Sequence, residues 1–361
     1  MRLTSLVIPL MLTLALHETA SADQTSETVP VAAAHGLDGM APAGHWATRL
    51  TVLRNGYDQH FDNAHDKVDL DQANNAMLAG FGINAQVDSK ITTEYTELML
   101  GYGVTENLTL GAIIPYARTT NRVRLTDTAP GGVAILQGAL AGLGYQPLQT
   151  TAIAGFGDPT LGALWRFDKG PHDSTVLGLG VRLGVAKADN PDNLADLPPG
   201  DGSNDLRLRL EHFRDLGKGF DLRLMAEYQR QFADHVTLRP GNPLTTPTKE
   251  VLKRDLGDYW EYDVELGKIF GDWRYSATWH RFQKAPDRYT SSIGTDTSFL
   301  SAGTNPLTDQ LRLGITWSGI RAWQAGKLPM PLIVKLEMQD AVQGRNFVAV
   351  KDVYLRITSF F

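Results

Sequence analysis

An all-β fold is what this sequence predicts: an antiparallel transmembrane barrel of about twelve strands, with short turns at one end and long loops at the other. Three observations predict it. Twelve stretches alternate with period 2, the links between them alternate in length, and the apolar faces carry charge only toward their ends.

The alternating stretches run over about 45–56, 91–103, 107–118, 158–168, 174–187, 204–214, 219–231, 258–269, 272–283, 307–318, 331–340 and 347–361. Each is about the length that a tilted strand needs to cross a bilayer. An even count lets an antiparallel sheet close on itself. Short links at 104–106, 169–173, 215–218, 270–271 and 319–330 alternate with long ones at 57–90, 119–157, 188–203, 232–257 and 284–306, and a moderate link at 341–346 is the last. Periplasmic turns and external loops sort in this way, whereas a water-soluble sandwich has no reason to.

The faces add a third line. Leu206, Leu208 and Leu210 share one parity, as do Leu311, Leu313, Ile315 and Trp317. In this outward register charges such as Arg54, Arg118, Arg214, Lys268 and Asp340 fall near segment ends. A lysine or arginine on the lipid face costs about 2–4 kcal/mol at mid-bilayer and almost nothing at the interface. Aromatics also gather near the ends. Trp46, Trp165, Trp273, Trp317 and Phe361 go to one side, and Tyr116, Tyr228, Trp260 and Trp279 to the other, as two interfacial girdles.

The chain divides into three parts. Arg2, the apolar run from Leu6 to Leu16 and the small residues Ala20-Ser21-Ala22 predict a signal peptide over 1–22. A polar, Pro/Gly/Ala-rich periplasmic segment over 23–43 leads into the barrel at 44–361. The terminal VYLRITSFF alternates to its last residue, so it reads as the closing strand, paired with the first so that no sheet edge is left open. The chain contains no cysteine, which excludes disulfides and thiolate metal sites, and a net charge of -6 offers no basic face for nucleic acid.

The opposite parity lines the lumen. It carries Arg49, Arg182, Arg207, Arg209, Arg223, Arg274, Arg312, Lys335 and Arg356 against Glu97, Glu211, Glu227, Glu261, Asp263, Glu265 and Glu337. Such a wall serves either as a polar track for a solute or as a mutually neutralised network that holds the barrel in shape. Twelve tilted strands give a backbone diameter of roughly 24 Å, and side chains reduce the free bore to about 12 Å. Gly178, Gly180 and Gly184 share the inward parity beside Arg182.

Two external loops are unusually apolar. Residues 72–87 carry Met77, Leu78 and Phe81, and residues 131–148 carry Val133, Ile135, Leu136 and Leu140 in a stretch able to form a short helix. Apolar loops at a water-facing end fold inward as a plug, capture a hydrophobic solute, or pack on one another as a lid. Catalysis is not expected. The histidines are scattered with no close ligand spacing, and the acidic, His-bearing loop 58–71 lacks the fixed spacing of a calcium site, so no metal and no cofactor are assigned. His212 lies in the lipid register near a strand end, without a serine motif to partner it.

More specific than any alternation is GFGDPTLGALWRF (155–167). Together with GYGVTENLTLGAIIPYA (101–117) and GHWATRLTVLRNGYDQHFD (44–62), it resembles the outer-membrane proteins associated with meta-cleavage phenol degradation. The motifs lie mainly between 44 and 167, while the layout extends over most of the mature chain. The resemblance implies passage of small hydrophobic or aromatic compounds through the outer membrane of a Gram-negative bacterium. Phe361 is similar to the terminal aromatic by which the barrel assembly machinery recognises such proteins, although Ser359 stands where many carry a second aromatic. Asp158 and Thr160 begin a strand after a long loop, where they serve either as an anchor at the barrel rim or in simple turn chemistry. The expected partners are therefore outer-membrane lipid, the assembly machinery and a small apolar solute.

Overall fold

The computed structural model describes residues 39–361 apart from Ala188. The signal peptide expected over 1–22 and most of the segment expected after it lie outside the described residues. Twelve strands build the wall: β1 (Trp46–Tyr57), β2 (Ala85–Thr105), β3 (Leu108–Asp127), β4 (Thr160–Lys169), β5 (Asp173–Arg182), β6 (Asp205–Gly217), β7 (Phe220–Gln231), β8 (Tyr259–Phe270), β9 (Trp273–Lys284), β10 (Leu307–Ser318), β11 (Leu332–Arg345) and β12 (Lys351–Phe360). Each pairs antiparallel with its neighbours in sequence, and β12 pairs with β1, so the sheet closes into a barrel. The seam reaches the last residue. Trp46 N–H donates to the Phe361 carbonyl at 2.7 Å, and Phe361 N–H donates back to the Trp46 carbonyl at 2.9 Å. Closure of this kind leaves no unpaired backbone edge for lipid to face.

Every expected stretch is a strand, but several boundaries differ, and β11 runs on to Arg345 through most of the expected link 341–346. The hairpin β2–β3 runs 21 and 20 residues, well past the expected 91–103 and 107–118. Its distal part alternates exposed Arg122 and Arg124 with half-buried Val123 and Leu125, so it stands in water and carries no lipid face to betray it. Strand β5 stops at Arg182 instead of 187. Gly184 therefore leaves the wall, its N–H donating to Asn204 Oδ1 at 3.0 Å. Finally, β12 starts at Lys351 and not at 347, because Phe347–Val348 pairs outside the wall with Gln59–Phe61.

The outward parity is largely apolar, with Leu161, Leu208, Leu266 and Leu313 among its exposed side chains. Its aromatics touch in the two bands: Trp46 against Tyr102 at 5.1 Å between ring centres at one end, Tyr228 against Trp260 at 4.7 Å at the other.

Residues 39–43, expected to belong to the periplasmic lead-in, pack against the barrel. Met40 and Ala41 are buried, Met40 against Val176, Phe213 and Leu164. Ala41 N–H donates to Thr109 Oγ1 at 3.0 Å, and Gly44 N–H to the Gly103 carbonyl at 2.7 Å. Gly103 has no room for a Cβ, because the Pro42 carbonyl lies against it.

Candidate functional site: the barrel lumen and its cap

The lumen has two unlike walls. Strands β6 to β12 carry a continuous ion-pair network. Arg207 donates to Glu227 at 2.5 Å, and Arg209 pairs with Glu211 and lies 3.9 Å from Glu227. Arg223 reaches Glu211 at 3.2 Å and Asp263 at 3.0 Å. Asp263 also accepts Arg312 at 3.5 Å and faces His280 Nδ1 at 2.7 Å. Arg274 bridges Asp221 at 2.5 Å and Glu265 at 2.6 Å, while Lys335 links Glu265 at 3.6 Å to Glu337 at 2.5 Å. Arg356 lies 3.9 Å from Glu337. The carboxylates are buried, and Arg274 is wholly so. Taking single charges out of water costs several kcal/mol each, and only this dense pairing offsets it. Glu261 stands apart from the pairs, opposite Glu227 in the β7–β8 ladder.

Strands β2 to β5 form a bare wall. Gly101, Gly111, Gly162 and Gly180 lie side by side in register across four strands, and the row ends on Arg207 of β6. Leu164, Ile113 and Gly178 flank the row in the same ladders. The glycines have a backbone reason. A Cβ on Gly111 would stand 2.7 Å from the Leu100 carbonyl oxygen, and one on Gly162 would stand 2.6 Å from that of Leu179. Neighbouring strands approach too closely here for any side chain, as glycines permit where a sheet bends sharply. Arg49 and Glu97, on β1 and β2, stand between the walls, where Tyr95 Oη donates to Glu97 at 2.8 Å.

Asp158 lies just before β4, and its carboxylate accepts four backbone N–H groups. Val185 and Ala186 donate to Oδ1 at 2.9 and 2.8 Å, and Asp201 and Gly202 each donate to Oδ2 at 3.1 Å. It thus gathers both ends of the loop between β5 and β6. Thr160, the first residue of β4, is buried and pairs with Ile113 and Arg182. Arg182 in turn donates to Asp201 at 2.7 Å and pairs with Asp205, which ties the same loop to the mouth of the barrel.

Over the external end sits a cap with a hydrophobic core of its own. Helices α1 (Gln72–Gly80) and α2 (Gly132–Gly142) pack Leu78, Leu136 and Leu140 against Ile83, Val87 and Tyr145. These three leucines are nearly inaccessible, so as placed they hold the cap together and offer nothing to a solute. Phe81 and Ile135 remain exposed, and Met77 and Val133 are half-buried. Arg239 fastens the cap to two further loops. It donates to the carbonyls of Leu143 at 2.9 Å, Gly144 at 3.0 Å and Pro191 at 3.2 Å, to the Pro247 carbonyl and to Asp192 Oδ1 at 2.6 Å, and it stacks over Tyr145. Hydrogen bonds from Lys249 and Arg239 hold the Asp192 carboxyl below the usual carboxylate range.

The loop 58–71 makes a small hairpin, Gln59–Phe61 with Lys67–Asp69, in which Asp62 Oδ1 accepts the N–H groups of Ala64 and Asp66. Among the described residues no three His, Asp or Glu side chains gather as a metal would need. His212 faces outward and meets Thr175 Oγ1 at 3.0 Å. Sequence reasoning omitted Asp205, Asp221 and His280 from the lumen, although parity alone placed them beside Arg207, Arg223 and Thr278. It omitted Arg239 for a better reason, since a loop residue has no register.

A family model described as "Putative MetA-pathway of phenol degradation" matches residues 64–309. No curated protein matches the sequence. In fold the chain is similar to the COG4313 outer membrane channel from Pseudomonas putida F1, at 13% identity over 89% of this chain and 96% of that one, with a TM-score of 0.59. It is less similar to the translocator domain of the autotransporter NalP from Neisseria meningitidis, at 10% identity over 90% of each chain and a TM-score of 0.42. A Pseudomonas aeruginosa FadL homologue follows at 11% identity, 88% and 90% coverage, and a TM-score of 0.39.

Proposed function

The chain belongs to that phenol-degradation family, and from this premise we propose that it is a passive outer-membrane channel for small hydrophobic or aromatic compounds. The observation that carries the reading is the inequality of the two walls. On β6 to β12 nearly every carboxylate is engaged by a cation, Glu261 and Asp352 excepted, so a neutral solute meets few unpaired acids there. Beside it, β2 to β5 present the glycine row with Leu164 and Ile113, and their Arg182 is paired at the mouth with Asp201 and Asp205. A neutral aromatic molecule loses little water-bonding against such a face, whereas a strongly hydrated solute gains nothing from it. At the external end Phe81 and Ile135, with Met77 and Val133 beside them, are the apolar positions left to meet the solute first.

Export by the leader, delivery to the outer membrane of a Gram-negative cell and engagement of the assembly machinery through the Phe361 strand belong to the same reading. A structural or adhesive barrel with a locked lumen is the competing one, and the complete burial of Arg274 within its network favours it. Initial uptake of radiolabelled toluene at limiting concentration separates the two, in cells lacking the protein and in complemented cells. A complementable loss supports the channel. Unchanged uptake with the barrel present in the membrane leaves the locked barrel.

A further inference from the structure

Three aromatic rings meet at the external mouth, across the barrel from the β2–β3 hairpin that carries the cap. Tyr259 is the first residue of β8 and shares the inward parity of Glu261 and Asp263. Phe282, near the external end of β9, shares that of His280 and Thr278. Their ring centres are 5.2 Å apart, with the planes at 49°. Phe347 reaches Phe282 from the segment between β11 and β12, at 6.0 Å and 47°. All three are half-buried, so each keeps part of its surface free. Half-bare rings in a row at a water-facing rim form a contact surface for something apolar.

The rings lead onto the smooth wall. Tyr259 stands opposite Gln229 of β7, Gln229 opposite Arg207 of β6, and Arg207 opposite Gly180 of β5. There the glycine row begins, and it ends at Gly111 and Gly101, near the short turn between β2 and β3. Strands in a closed barrel tilt, so a row of directly opposed residues climbs as it goes round. This row therefore starts at the external end of β8 and descends toward the periplasmic end of β2. Its first steps suit a flat molecule. Tyr259 Oη donates to Gln229, which fixes the phenol in place. Arg207 donates to Glu227 through Nε at 3.0 Å and Nη2 at 2.5 Å, and a guanidinium is a surface on which aromatic rings stack. Lower down, residues 39–41 lie against Leu164 and Thr109, so the upper part of the row is the part left to a solute.

We infer that Phe347, Phe282 and Tyr259 form an aromatic entry that selects planar aromatic rings over saturated rings of the same size. A solute passes from ring to ring and then, past Arg207, onto the glycines. Rings prefer offset or edge-to-face partners, and such contacts favour an arene about two- to tenfold over a saturated ring of equal area. This entry rests on the channel reading and deepens it. The exposed cap residues meet any apolar solute, whereas the opposite rim sorts arenes from the rest.

The test is initial uptake of labelled toluene and of labelled methylcyclohexane. Cells lacking the protein are compared with cells carrying the parent or Phe282→Leu at equal amounts of folded barrel, verified by heat-modifiable mobility. Once the rate without the protein is subtracted, the parent is expected to take up toluene about threefold faster than methylcyclohexane. Phe282→Leu keeps an apolar side chain and is expected to bring that ratio close to one. Should Phe282→Leu fail to assemble, Phe347→Leu, which lies outside the wall, replaces it with the same expectation. A parental ratio near one, or a ratio that the folded variant leaves unmoved, overturns the aromatic entry while toluene uptake still depends on the protein. Loss of protein-dependent uptake for both compounds overturns the channel reading itself, and the entry with it.

Discussion

The two walls of this barrel are held by opposite means. From β6 to β12 the inward positions are filled, and shape comes from side chains that bind one another across strands. From β2 to β5 a row of them is glycine, and at Gly111 and Gly162 the neighbouring backbones pack so closely that only glycine fits. The first wall depends on pairs whose separate members are costly to bury, so its weakness is the loss of one partner. The second depends on space, so its weakness is one added carbon. A barrel built from both acquires a stiff side and a smooth side, and the difference decides which solutes the smooth side suits.

The largest expected effect tests the stiff side. Arg274→Ala leaves Asp221 and Glu265 facing each other without their shared cation, at a cost of about 3–5 kcal/mol in unfolding free energy. Urea unfolding in micelles, followed by tryptophan fluorescence, measures it. A loss under 1 kcal/mol would mean that the network is ornament and that both walls rest on backbone pairing alone.

Next comes the smooth side. Gly111→Val drives two methyl groups toward the Leu100 carbonyl, with about 1–3 kcal/mol lost to displaced strands. The fraction of heat-modifiable barrel at a fixed urea concentration reports it. If Gly111→Val assembles and unfolds like the parent, the glycines are not there for close approach, and the contrast between the walls loses its physical cause.

Arg239→Ala sharpens the contrast by leaving both walls alone. It frees the three external loops that meet on its guanidinium, so cleavage by protease within residues 128–150 and 188–203 rises about tenfold while barrel unfolding stays where it was. Acid should act in the same direction. The Asp192 carboxyl is held below its ordinary 3.8, so its bonds to Arg239 and Lys249 are complete above that value and are lost as pH falls through the lower one. Protease sensitivity of the cap at acid pH, with the wall intact, checks the sign. Smallest of all is Lys351→Ala on the outer face. Its partner Asp340 lies 3.5 Å away and both are exposed, so the change is at most about 1 kcal/mol.

Much of this was legible because a membrane disciplines the sequence. Leu208, Leu266 and Leu313 face lipid, so their parity could not drift, and strand count, order and the inward set followed from it. Where lipid no longer applies, legibility fades. The distal hairpin of Arg122 and Arg124 alternates as a strand does, yet its charges look like a loop. Leu136 and Leu140 announced an apolar loop without saying that they bury each other instead of a solute. The Gly101–Gly111–Gly162–Gly180 row required the register between strands, which no single strand contains. Arg239 required three loops to be seen together. Asp158 lay between, since its motif marked the place but not the four amides that converge on it.

The central claim is that solute moves along the smooth wall, and one substitution addresses it directly. Gly178 lies on that wall, where a side chain would meet Leu164 and Arg209 and fill the space between them. Initial uptake of labelled toluene should be compared in cells carrying Gly178→Leu or the parent at equal amounts of folded barrel. The account predicts a severalfold fall toward the level of cells without the protein. Uptake equal to the parent's would contradict it.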